Sequence, residues 1–151
     1  LIPDIYKSSL KNKKIFIRNP NAIRPWQHVL EPLSGYLLLA QNIHNKKINK
    51  MEQHWNFGPN ISSCKSVKYL TQYLSKKLKL KIIQKKPKSN LFKPETSVLR
   101  LSNYKSRKFL SWHPKWSIKK SLDKILQWNV DVKSKNASDV CIDQIKEYLG
   151  N

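Results

Sequence analysis

The chain has 151 residues, with 30 Lys or Arg against 9 Asp or Glu, a formal net charge of +21. That length suits one domain able to bury about 70% of its unfolded surface. The longest apolar run, Tyr36 to Ala40, falls far short of the roughly twenty residues that span a bilayer, and no signal-peptide pattern opens the chain, so a cytoplasmic protein without a membrane partner is expected.

Leu1 to Asn12, LIPDIYKSSLKN, reads as a junction segment and helix, already the body of an element, so the sequence looks like a piece of something longer. Lys14 to Arg18, KIFIR, alternates charged and β-favouring residues and predicts a short strand ended by the Asn-Pro-Asn turn. From Glu31, with Pro32 at a plausible first helical position, Leu33, Leu37, Ala40 and Ile43 or His44 follow the helical period, which predicts a helix to about Asn45 with that face in the core. His54 to Pro59, HWNFGP, predicts a strand closed by Gly-Pro, after which Ser62 or Ser63 is expected to cap a helix with Val67, Leu70, Leu74 and Leu78 on one stripe.

Leu80 to Gln84 is expected as a strand and Lys85 to Pro94 as a loop, on its prolines and lysines. Ser97 to Leu101 reads as another strand, Tyr104 to Leu110 as a short helix, and Trp112 to Trp116 as a proline turn before a helix from Ile118 to about Val130. An amphipathic piece, Val140 to Leu149, closes an alternating α/β order without internal repeats.

The positive charge invites a nucleic-acid reading. Yet the 26 lysines outnumber four arginines and are scattered through every kind of element, whereas base and phosphate recognition favours arginine forks. A lysine, asparagine and isoleucine excess fits an AT-rich coding sequence and a solvated surface, and no specific nucleic-acid partner is expected. Cys64 and Cys141 form no Cys-x-x-Cys pair, and His28, His44, His54 and His113 show no ligand spacing, so neither a metal site nor a disulfide scaffold is indicated. The sequons at Asn60 and Asn136 are short enough to occur by chance. Only three glycines occur, Gly35, Gly58 and Gly150, which excludes a G-x-G-x-x-G or Walker loop within these residues. Two Tyr-x-x-x-Lys matches, Tyr73 to Lys77 and Tyr104 to Lys108, read as surface coincidences.

Arg18 to Ala40, RNPNAIRPWQHVLEPLSGYLLLA, closely resembles the corresponding segment of the CDP-glucose 4,6-dehydratases, within the extended short-chain dehydrogenase/reductase superfamily. WNFGP at Trp55 to Pro59, the spaced leucines, lysine and Trp of Leu99 to Trp112, HPKWSIKKSLDKILQW, and the closing IDQIKEYL fall in family order, so the resemblance covers essentially the whole chain. It implies the small α/β carboxyl-terminal, substrate-binding domain of such an enzyme, with 1–12 as junction and helix and 13–151 as the nucleotide-sugar-binding domain. The Rossmann half, which holds NAD and the catalytic Tyr and Lys, would precede Leu1. No catalytic residue and no cofactor are then expected in this chain. Its partners would be a CDP-sugar, the Rossmann half in cis or trans, and further copies in a homo-oligomer.

The resemblance and the residue chemistry meet at Arg24. A guanidinium followed by Pro25 can give paired, charge-assisted bonds to a diphosphate; pairing with a surface carboxylate is the plainer use of the same group. Ile15 and Ile17 fall where relatives line the base pocket, with Leu1 nearby, and as alternate strand residues they face one side, as either a wall for cytosine or plain core. Arg18 and Asn19 are candidate donors to base or ribose, although a strand-ending turn uses such residues anyway. Asn60 and Glu95 lie in loops that approach substrate in relatives, and Trp26 reads as packing behind the loop.

Two departures stand out. Ser111 replaces the usual glycine before Trp112, with strain expected in that turn, and Ser102 replaces an acidic residue before the short helix, where serine can still serve as a cap. The competing functions are a basic nucleic-acid-binding module and a residual structural or interaction domain.

Overall fold

A computed structural model describes residues 1–45, 47, 54–84 and 96–150. The chain divides into two units, Leu1–Arg24 with Cys64–Arg100, and Pro25–Ser63 with Leu101–Asn151.

In the first unit, helix α1 (Ile2–Leu10) packs on α3 (Val67–Leu78). Strand β1 (Ile15–Ile17) pairs in parallel with β4 (Ile82–Gln84), Ile15 opposite Ile82 and Ile17 opposite Gln84. The two-residue period of KIFIR turns Ile15 and Ile17 inward and Phe16 outward. They join Ile5, Ala22, Leu70 and Leu74 as the buried apolar residues of this unit. Strand β2 (Ile23–Pro25) lies beside β3 (Cys64–Ser66). The expected strand Ser97 to Leu101 is only a single parallel bridge, Val98 to Ile23, held by Ile23 N–H to the Ser97 carbonyl and Leu99 N–H to the Ile23 carbonyl.

Helix α3 carries the predicted Leu70 and Leu74 stripe, but its cap is neither Ser62 nor Ser63. Ser66 adopts the extended capping conformation and its Oγ accepts the Tyr69 N–H at 3.2 Å. Ser62 and Ser63 instead close a 3₁₀ turn, Ile61–Ser63, in the second unit. The expected loop Lys85 to Pro94 lies outside the described residues.

The second unit is built from α2 (Leu30–His44), α4 (Tyr104–Leu110), α5 (Ile118–Asp131) and α6 (Ala137–Leu149). Helix α2 packs on α4, and α5 on α6. Ser117 and Asn136 cap α5 and α6 with side-chain oxygens, and Gly150 ends α6 at φ 92°. Phe57, Leu110 and Trp112 form a core cluster, with Leu38, Leu39 and Trp55 against it. The Phe57 ring stands edge-on to Trp112 at 5.2 Å, the geometry that ring quadrupoles favour.

Two sequence expectations fail in this unit. His54 to Pro59 is not a strand, because its carbonyls accept from side chains instead of a neighbouring strand: Asn56 from Ser106 Oγ, Phe57 from Gln27 Nε2, and Gly58 from Asn103 Nδ2. Helix α2 begins where expected but turns a different face inward. Glu31 and Gly35 are buried, while Leu33 and Leu37 are 44% and 73% exposed. A Cβ on Gly35 would lie 2.2 Å from Phe57 Cδ1, so the missing side chain is what seats the ring against this helix. Apolar residues surround α2 on several sides, and periodicity alone cannot choose among them.

Candidate functional site

The loop from Arg18 to Arg24 is tied into the first unit by backbone bonds. The Pro20 carbonyl accepts the Lys68 N–H at 2.7 Å and the Ala22 carbonyl accepts the Val67 N–H at 2.9 Å. These are the first amides of α3, which helix geometry leaves without partners in their own helix. With Ser66 holding the Tyr69 N–H, the loop and the cap occupy the helix start from both sides.

Arg24 stands at the end of this loop, half-buried, and its Nη1 donates to the Ile23 carbonyl at 2.8 Å and the Thr96 carbonyl at 2.9 Å. Holding one terminal nitrogen fixes the plane of the guanidinium, the property that distinguishes it from a flexible ammonium. Arg18 is exposed and Asn19 half-buried, its carbonyl accepting the Ala22 N–H that closes the turn. Ile15 and Ile17 are core residues, 7% and 5% exposed. Leu1 caps α1 and is partly exposed. Six of the expected residues, Leu1, Ile15, Ile17, Arg18, Asn19 and Arg24, thus belong to one unit. Asn60 is exposed in the other unit, and Glu95 lies outside the described residues.

Trp26 is half-buried, and Ser102 Oγ accepts the Tyr104 N–H at 3.3 Å, so that serine does serve the start of α4 although Asn103 occupies the cap position. In both Tyr-x-x-x-Lys pairs the lysine lies over the tyrosine ring on its own helix, Lys77 Nζ over Tyr73 and Lys108 Nζ over Tyr104, each at 5.6 Å. Among the described residues no cluster of His, Cys, Asp and Glu could hold a metal ion, and no helix is long and apolar enough to cross a membrane.

The polar centre that sequence reasoning missed is Glu31. Its carboxylate is fully buried in the second unit and accepts the backbone amides of Lys115 at 3.0 Å and Trp116 at 2.7 Å and the Tyr148 hydroxyl at 2.7 Å. Burial, above all, pushes the Tyr148 hydroxyl well above its ordinary range, so it acts as a donor throughout the accessible pH range. Trp112 Nε1 donates to Ser34 Oγ, which donates in turn to the Glu31 carbonyl, joining the core cluster to this centre. A carboxylate directly before a proline inside an apolar motif was the available signal, but its partners lie more than 80 residues away.

No protein-family model matches the chain. Over 134 residues it is 37% identical to CDP-glucose 4,6-dehydratase of Salmonella typhimurium, a match covering 85% of this chain and 35% of that protein. Among solved structures, dTDP-glucose 4,6-dehydratase of Bacillus anthracis in complex with NAD aligns with a TM-score of 0.69 at 18% identity, covering 87% of this chain and 39% of that one. UDP-glucose 4-epimerase of Thermotoga maritima with UDP-glucose aligns with a TM-score of 0.66 at 16% identity, covering 88% and 40%. The chain therefore spans little more than a third of the lengths it matches, and the low identities of the structural neighbours speak to the fold alone. In sequence the chain is similar to about a third of CDP-glucose 4,6-dehydratase, and its small α/β fold matches 39–40% of the dehydratase and epimerase chains, as a partial, carboxyl-terminal domain of that fold does.

Proposed function

We propose that these residues are the substrate-binding part of a CDP-glucose 4,6-dehydratase, a lyase that converts CDP-glucose to CDP-4-keto-6-deoxyglucose for deoxysugar and surface-polysaccharide synthesis. The observation that carries the reading is the 37% identity to such an enzyme across 85% of the chain. In this scheme NAD, when bound by the full-length enzyme, would supply the reversible hydride acceptance that a 4,6-dehydration needs. The groups for that chemistry and for NAD belong to polypeptide outside these 151 residues, so the chain by itself is inactive. Its own contribution is to hold the CDP-sugar, with Arg24 on the diphosphate, Arg18 and Asn19 toward base or ribose, and Ile15, Ile17 and Leu1 shaping the apolar side. Asn60 and Glu95 are assigned to the approach of the sugar.

The fixed guanidinium supports this reading, and the net charge alone does not favour a nucleic-acid module over it. The test is a titration of CDP by NMR at about 150 mM salt, where diffuse attraction is partly screened. Arg24→Ala should weaken binding by about 1.5–3 kcal/mol, the scale of charged hydrogen bonds, and Arg24→Lys should recover little of it. Arg107 is exposed on α4 and serves as the control for lost charge. Equal losses for Arg24→Ala and Arg107→Ala would overturn the site. Formation of a 4-keto-6-deoxy sugar from CDP-glucose and NAD by residues 1–151 alone would overturn the assignment of the chemistry elsewhere.

A further inference from the structure

The positive charge is not shared evenly between the two units. Among the described residues, 13 Lys or Arg meet a single acid, Asp4, in the first unit, against 11 and six in the second. Codon bias acts on both units alike and does not produce that contrast. The pairing of β1 with β4 gathers the excess further. The strands are parallel, with Ile15 opposite Ile82, so the links that lead into them lie at the same end of the sheet. Those links are KNKK, 11–14, from α1, and KLK, 79–81, from α3, five lysines in seven residues. Lys7 in the last turn of α1 and Lys76 and Lys77 in the last turn of α3 bring the number at this pole to eight, every one of them exposed.

Helix chemistry accounts for only part of this cluster. Cations in a last turn answer the carbonyl end of the helix dipole, which covers Lys7, Lys76 and Lys77. Lys13, Lys14 and Lys81 lie beyond both helices, and Lys79 holds left-handed backbone at φ 53°, where glycine or asparagine is the easier residue. Beside the first link stand two large apolar side chains, Leu10 at the end of α1 and Phe16 on the outward side of β1, each 58% exposed.

We propose that this pole is a docking surface for an anionic lipid bilayer, where the eight lysines meet headgroup phosphates and Leu10 and Phe16 enter the interface. A lysine cluster of this size is the charge pattern that an anionic leaflet attracts, and apolar side chains set among the charges give the contact its depth. A nucleic-acid duplex would give Leu10 and Phe16 nothing to bury against, and none of the eight cations is an arginine able to fork onto bases or phosphates. Attachment at a surface needs no membrane-spanning helix. The inference is independent of any role for Arg24 or CDP.

The test is sedimentation of the chain with phosphatidylcholine vesicles, with and without phosphatidylglycerol, at about 150 mM salt. Binding is expected to the anionic vesicles alone. Lys13→Glu with Lys14→Glu, or Lys79→Glu with Lys81→Glu, should each weaken it about tenfold or more. Lys119→Glu with Lys135→Glu makes the same charge change at exposed positions of the second unit and should leave binding within about twofold. Leu10→Ser should weaken it about threefold or more. Circular dichroism establishes that each variant is folded, and the two reversed pairs are separate, so one that misfolds leaves the other to decide. No binding to anionic vesicles, an equal loss from the Lys119 and Lys135 pair, or indifference to Leu10→Ser overturns the proposal. Binding of a duplex oligonucleotide at the same salt, abolished by the same reversals while vesicles stay unbound, would give the pole to nucleic acid and overturns it as well.

Discussion

Glu31 and Trp116 are 85 residues apart in sequence and joined by a 2.7 Å hydrogen bond, from the Trp116 amide to a carboxylate oxygen with no exposure to solvent. The carboxylate is the common acceptor that fixes the HPKW turn and the end of α6 onto the start of α2. Glu31→Ala strands the Lys115 and Trp116 amides without acceptors, takes from Tyr148 its carboxylate partner and leaves a cavity. An unsatisfied buried donor costs about 1–3 kcal/mol, so the loss in urea unfolding should reach about 3 kcal/mol or more. Glu31→Gln should recover part of it, since an amide keeps one oxygen but turns a donor toward donors.

Gly35 is required for the fit of a ring rather than for a turn. Gly35→Ala places a methyl within 2.6 Å of three Phe57 ring atoms, and overpacking of this kind costs about 1–3 kcal/mol. Combined with Phe57→Leu, the alanine should cost less than it does alone, because the smaller side chain gives it room. Thermal unfolding of the four proteins of that cycle measures the coupling.

Ser111 ends α4 in the left-handed region, at φ 53° and ψ 24°. Left-handed backbone costs a residue with a Cβ about 1–2 kcal/mol, while glycine carries an unfolded-state entropy penalty of about 0.5–1 kcal/mol. Ser111→Gly should therefore stabilise by about 0.5–1 kcal/mol in denaturant titration. The turn is strained, as the departure from the usual glycine predicts.

His28 gives the second unit a dependence on pH. Burial holds its imidazole below the ordinary value, with the Glu31 charge pulling the other way. Its Nδ1 accepts the Leu30 N–H at 3.3 Å, which requires that nitrogen to be unprotonated. The unfolded chain takes up the proton near pH 6.5 and the folded one only at lower pH, so the folded state loses stability as pH falls below about 6.5. Urea midpoints should drop between pH 7.5 and 5.5, and His28→Asn, which retains an acceptor, should flatten that slope. A slope unchanged in the variant would place the pH dependence in other groups.

The elements legible in the sequence are those that local chemistry decides. Tyr104 to Leu110 matches α4 residue for residue, and KIFIR contains β1, because a seven-residue helical turn set and a period-two strand each announce themselves within their own span. Helix α5 begins, as expected, directly after the proline turn of WHPKW. HWNFGP has the composition of a strand, but Ser106, Gln27 and Asn103 take its carbonyls, and nothing local reveals that competition. The inward face of α2 was hidden for a related reason, since Glu31 is drawn inside by donors from HPKW and α6 and Gly35 by a ring from residue 57. In the candidate site, Arg24 stands out from its loop and its proline as the candidate for an anion. The hold on Nη1 by the Thr96 carbonyl, across 72 residues, was beyond sequence.

The two carbonyls that Pro20 and Ala22 offer to the start of α3 make the loop and the helix a single opening unit. Lifting the loop from its place would bare the Lys68 and Val67 amides to deuterium, and as long as the loop stays down they have no faster route to exchange. The protection of those two amides is thus a clock for the loop that carries Arg24, readable in the unliganded chain, and any ligand that grips the loop should slow it.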